Sequence, residues 1–308
     1  MGVLFASLNQ ANQNTPFPDL SLSAMSTVIN RLEPLGIENP NGVKHSIIEV
    51  ILQVNFAGSL SEVENWRNKL EVSTNLLDSF ENSQDIVNYG FEMQANSELN
   101  FTAEDAKPIV IGFRAEKKIK DRHEVEWVAL VRNTKETDDY KSKAEFHCLH
   151  YSQFLDLERD LKTWLLQISQ AWPEQQIHSY SLAYVDRFRY PEANIESLQP
   201  IFSPETHNWW LRMIGDSHFG HLNQRSFIDT QLEEYQLTYQ PDSHLNSCMI
   251  QFYHAFANRF ENATLLSELF VDSRFSDLLL QAREQNRKRM KEIFSITLLD
   301  KIGLKEVS

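Results

Sequence analysis

Hydrophobic and polar positions alternate most clearly over residues 177–191, IHSYSLAYVDRFRYP. Tyr180, Leu182, Tyr184, Phe188 and Tyr190 share one side of an extended chain, and Ser179, Ser181, Arg187 and Arg189 share the other. A period of two predicts a long strand with one packed face and one wetter face. Pro191 ends it, because proline has no amide hydrogen to give to a ladder. Residues 46–56, SIIEVILQVNF, alternate in the same way, with Ile48, Val50, Leu52, Val54 and Phe56 opposed to Glu49, Gln53 and Asn55. Further strands are predicted at 87–95, 108–116, 124–132, 143–150, 218–230, 233–240 and 246–258. Several are joined by short polar turns, which implies antiparallel pairing.

Between these runs the spacing changes to three and four. Ser61 and Glu64 read as a capping box opening a helix to Phe80. Phe154, Leu157, Leu161, Trp164, Leu165 and Ile168 predict a helix over 152–172, stopped by Pro173. A last helical segment is expected over 263–302, with Asn286 interrupting an apolar stripe of Phe275, Leu279, Ala282, Met290 and Ile293. A short helix fits 22–32. The order predicts an α+β fold: an antiparallel-rich sheet with helices on one face, an elaborated split βαβ, and a helical C-terminal end. Residues 1–44, rich in Asn, Ser and Pro, read as an extension, and 45–308 as one core domain. Pro191, Pro200 and Pro204 mark a sub-boundary at 191–207.

The formal charge of −14 over 308 residues suits solubility and a basic partner, and nucleic acid binding would require a local basic patch. Two cysteines, Cys148 and Cys248, imply no disulfide framework and a reducing compartment. No apolar run approaches the roughly 20 residues of a spanning helix. The expectation is a cytoplasmic protein that does not enter the membrane.

The chain resembles a sporadically distributed, largely uncharacterised prokaryotic family. The likeness is carried by SIIEVILQVNF at 46–56, by Gly112-Phe113-Arg114, and by Phe146, Tyr151, Phe154 and Trp164. It is carried also by Leu182-Ala183-Tyr184-Val185-Asp186-Arg187-Phe188-Arg189-Tyr190-Pro191, which is similar to the pattern L-R-Y-I-N-R-I-x-x-P. It spans 46–191, with Asp186 standing where that family has Asn and Ala183 where it has Arg. The resemblance implies no catalytic residues and no cofactor. The family's patchy distribution implies an accessory part in anti-phage defence or a toxin–antitoxin type system.

The candidate chemistry is sparse. Asp186 falls on the aromatic side of its strand, as a paired structural carboxylate or a site group with a shifted pKa. Arg187 and Arg189 lie together on the other side and can grip a phosphate or carboxylate. Two basic runs, Arg114 to Arg122 with Lys118 central and Arg283 to Lys291 with Arg287 central, can track a phosphate backbone. Gly215-Asp216-Ser217-His218 lacks the position and partner His of a serine hydrolase, and Glu116 with Lys118 lacks the upstream Asp of a nuclease. His147 and His150 point to opposite faces of one strand, which leaves too few ligands for a metal. No glycine-rich phosphate loop exists. The leading expectation is therefore a non-enzymatic binding or assembly subunit with a protein partner, no cofactor and no metal. An unrecognised hydrolase or nuclease, and a nucleic-acid-binding module, are the alternatives.

Overall fold

The strand read from 177–191 holds the sheet together. The computed structural model describes residues 29–73, 76–90, 107–120, 122–134, 141–192, 196–206, 220–242 and 244–304. In it β7 (Gln176–Tyr190) lies between β2 (Ile47–Phe56) and β10 (Ser247–Leu265) and also pairs with β1 (Glu33–Pro34). Beyond β2 come β6 (Ser142–Cys148), β5 (Val125–Asn133), β4 (Lys107–Lys118) and β3 (Asn82–Gly90). Beyond β10 come β9 (Gln231–Asp242) and β8 (Gly220–Ile228). The ten strands run in the order β3-β4-β5-β6-β2-β7-β10-β9-β8, with β1 beside β7, and every described pairing is antiparallel. No described helix is long and apolar enough to cross a membrane.

The protein is α+β, with its helices on one face of this sheet. α1 (Trp66–Ser73), α2 (Phe154–Ala171), α3 (Arg274–Ile293) and α4 (Ile296–Lys301) cover the side to which Leu52, Leu182, Tyr184 and Phe188 point. Trp164 of α2 anchors this layer, edge-on to Trp127 of β5 and stacked on Phe146 of β6. The core has two parts. The larger joins β2 to β6 with α1, α2 and the first half of α3. The smaller joins the C-terminal end of β7, β9, β10, the end of α3 and α4, with Ile29 and Leu32 of the N-terminal segment. Between them lie buried polar residues, Ser46, Asp186, His254 and Asn286.

Some local expectations are corrected. Ser61 makes no cap, because Glu62 takes a left-handed conformation (φ 51°) and the Ser61 carbonyl accepts from the Trp172 indole instead. The helix expected to reach Phe80 stops at Ser73 and resumes as a 3₁₀ turn, Leu76–Ser79. The third strand occupies 82–90 rather than 87–95, and residues 91–95 lie outside those described. Residues 263–265 belong to β10, whose end re-pairs with Ile177 and Gln176 past a bulge, so α3 begins only at Arg274. Phe294 then bridges to Phe202, which divides the last helix in two.

Gly112 shows why one strand needs a glycine. It sits beside a register shift between β3 and β4, and a Cβ there would overlap the Val131 carbonyl oxygen and Arg132 Cα. Backbone atoms cannot rotate away as a side chain can. Gly112→Ala is expected to cost roughly 1–3 kcal/mol, as overpacking does, read as a lower urea midpoint with an unchanged slope. An unaltered midpoint would mean that β4 and β5 do not approach this closely.

Candidate functional site

The face away from the helices is open among the described residues. There β7 presents Ser179, Ser181, Ala183, Val185, Arg187 and Arg189. Directly opposite, β10 presents Arg259, Ala257, Ala255, Tyr253, Gln251 and Met249. Ser181, Ala183, Ala255 and Ala257 keep the floor low over part of this pair, and Val185 with Tyr253 raises it beside Arg187. Taller side chains such as Gln53 of β2 and Glu234 of β9 flank it. The result is a shallow trough along the strands, closed over at Ala183 and Val185 (3% and 6% exposed) and open at its two ends. A cleft of about 510 Å³ opens at the Arg187 end and one of about 450 Å³ at the Arg259 end. Two apolar side chains stand out of the surface beside them, Leu245 (70% exposed) and Phe227 (74% exposed).

Charge on this face is unevenly matched. Glu116 is paired with Arg114, Glu145 with Lys143 (2.9 Å) and Arg132 (3.6 Å), Glu49 with His147 (2.8 Å) and Glu234 with Arg225 (3.1 Å). Arg187 and Arg259 have no such carboxylate among the described residues, and Arg189 has only the more distant Glu33 of β1. Arg187 donates from Nε and Nη2 to Gln251 Oε1 at 3.1 and 2.6 Å, so a neutral amide holds the guanidinium plane without cancelling its charge. Arg189 is half exposed, and Glu33 of β1 lies 3.9 Å from it. Asp242 at the cleft rim spends Oδ1 on the backbone amides of His244 and Leu245, at 3.0 and 3.1 Å.

The buried polar seam lies on the other side of the same strands. Asp186 is 2% exposed and accepts from Ser46 Oγ at 2.5 Å, while its second oxygen finds no protein partner among the described residues. Burial pushes its carboxyl up to about 7, partly offset by the Ser46 bond. The Tyr184 hydroxyl, two residues away on the same face, is also unpartnered, and burial raises it well above its ordinary value. His254 stands opposite Tyr184, with Nε2 at 2.9 Å from Glu233 Oε1 and Nδ1 at 3.4 Å from Asn286. Arg289 donates twice to Glu233, at 2.9 and 2.6 Å. Burial raises the Glu233 carboxyl, but the bonds from His254 and Arg289 outweigh it and bring it down to about 2.

The five residues singled out from the sequence thus separate. Arg187 and Arg189 line one cleft, and Asp186 is buried behind them. Lys118, at the end of β4, and Arg287, 4.0 Å from Glu284 on α3, line neither cleft. Some members of both basic runs are engaged in local contacts. Lys117 lies 2.9 Å from Glu126, Arg283 sits over the Phe154 ring, and Arg289 is held by Glu233. Both thiols are buried and burial raises each to about 12, which leaves neither reactive at neutral pH. Among the described residues no three metal-ligating side chains converge. Gly215 to His218 and Asp105 lie outside the described residues. The sequence reading passed over Gln251 and the His254–Glu233–Arg289 chain. Its one available signal for the latter was Asn286, a polar residue in an apolar stripe.

No protein-family model matches the chain, no curated protein matches it, and no solved structure matches it. The family resemblance therefore rests on the motifs quoted for it.

Because folding raises the Asp186 pKa, its contribution to stability is complete below about pH 4 and is lost as pH rises through about 7. Asp186→Asn removes the titration and keeps an acceptor for Ser46. Wild type is expected to lose stability relative to this variant between pH 4 and 8, with a slope approaching about 1.4 kcal/mol per pH unit. Urea midpoints at several pH values measure it. Parallel pH profiles would show a cation beside Asp186.

Proposed function

We propose that this chain is a non-enzymatic binding subunit that takes an extended, acidic segment of a protein partner along the trough between β7 and β10. The observation that supports this most strongly is the charge balance. In a chain of net charge −14, the helix-free face pairs Glu116, Glu145, Glu49 and Glu234 with cations, and it places Arg187 and Arg259 at the two ends of the trough with no salt bridge among the described residues, beside Asp242 and Asp229 respectively. Arginines placed in this way on an otherwise acidic body favour an acidic partner. Arg, Tyr and Phe are also the residue types that interfaces favour, and Arg259, Tyr253 and Phe227 surround the second cleft.

The residues raised for catalysis offer less support. Glu116 is engaged by Arg114, and the Ser46–Asp186 pair is buried under the helices with no described cleft opening on it. An accessory place in a defence or toxin–antitoxin type system is supported by the sequence resemblance alone.

Photo-crosslinking in the native host tests the reading. A crosslinking residue at Tyr253, on the trough, is expected to capture an acidic protein. The same residue at Leu280, exposed on α3, is expected to capture little. Capture confined to Leu280, or of a basic protein only, would contradict it.

A further inference from the structure

The spacing of the two cleft arginines carries the reading to a sequence feature of the partner. Arg187 and Arg189 are two residues apart on one strand, so their Cα atoms are about 6.8 Å apart on the same face. Arg187 is pre-set by Gln251, which leaves its Nη1 edge for another acceptor. Arg189 stands directly across from Glu33 of β1 in the sheet register, and Lys44 shares that carboxylate at 3.2 Å. Glu33 is thus an internal example of the group this corner of the cleft receives, held loosely at 3.9 Å. Gln240 of β9 adds a neutral wall, and Asp242 of the rim is turned to its own loop by the two amides that Oδ1 accepts, keeping its charge.

We propose that the Arg187–Arg189 cleft binds a pair of carboxylates presented two residues apart, an acidic-x-acidic step in an extended segment, one carboxylate to each guanidinium. An extended chain repeats its side-chain direction every second residue, at the same spacing as the two arginines. The match is therefore one of register as well as charge. Carboxylates at adjacent positions would face opposite ways and reach only one arginine. This proposal rests on the docking face described above, which its test can separate from it.

The full chain is titrated with fluorescent ten-residue peptides in an otherwise neutral Ser/Thr sequence, containing Glu-x-Glu, Glu-Glu or Gln-x-Gln. Glu-x-Glu is expected to bind about ten- to a hundredfold more tightly than Gln-x-Gln, the range for charge-assisted bonds, with Glu-Glu between them. Arg189→Gln, at a half-exposed side chain, is expected to remove most of that advantage. Glu33→Gln, which removes the competing internal carboxylate, is expected to tighten binding by about two- to threefold. Equal binding of Glu-x-Glu and Gln-x-Gln overturns the proposal, as does binding that Arg189→Gln leaves unchanged. Inorganic phosphate that binds where no peptide does overturns it in favour of a free small anion. If the peptides fail while Tyr253 crosslinks persist in Arg189→Gln, the docking face stands and the acidic step falls.

Discussion

Register along β7 is the constraint on which the rest of the structure depends. In 15 residues this strand places aromatic side chains under the helices and arginines on the open face, one after the other. A slip of one residue against β2 or β10 would exchange the two sets. Arg187 and Arg189 would then enter the core and Tyr184 and Phe188 would meet water. Burying an unpaired guanidinium costs several kcal/mol or more, so the slipped arrangement is excluded by the same alternation that builds the site. Architecture and binding surface are consequences of one pattern.

The polar seam reinforces that choice. Ser46 and Asp186 lie at the β2–β7 junction, and His254 and Asn286 join β10 to α3, between two apolar clusters. A core of greasy residues alone tolerates sliding, whereas a buried hydrogen bond is lost outright when its partners shift, leaving groups that cost about 1–3 kcal/mol each. Asp186 is an expensive member, ionising only near neutrality. Glu233 is a cheaper one, since Arg289 and His254 surround its carboxylate. The seam links four strands and a helix, which fits the register role best attested for buried polar groups.

Much of this was legible from residue order. Alternation over 177–191 located β7 to within a residue, and the Phe154 to Ile168 stripe located α2, because both elements bury one face along their whole length. Segments without that property misled. The strand expected to end at 258 runs on instead, bulging after Arg259 and pairing again at Thr264 where a helix was expected. Ser61 carried the pattern of a cap, yet a tryptophan 111 residues away in sequence took its carbonyl. The site divides in the same way. Period two placed Arg187 and Arg189 together, since that depends on one strand alone. Gln251, Glu33 and Glu234 depend on which strands become neighbours, and nothing local in the chain names the partner of a strand. Lys118 and Arg287 were read as the centres of linear basic runs, and neither lines a described cleft.

β7 shows one side to the helices and the other to solvent, and the binding face depends on it. Thiol labelling of Ser181→Cys tests this most directly, because the native Cys148 and Cys248 are both buried and serve as internal silent references. In the folded protein one thiol is predicted to react at the rate of an accessible cysteine, while the other two react only in denaturant. Protection of the new thiol to the level of Cys148 would show the trough to be covered by the protein's own chain and would contradict the account.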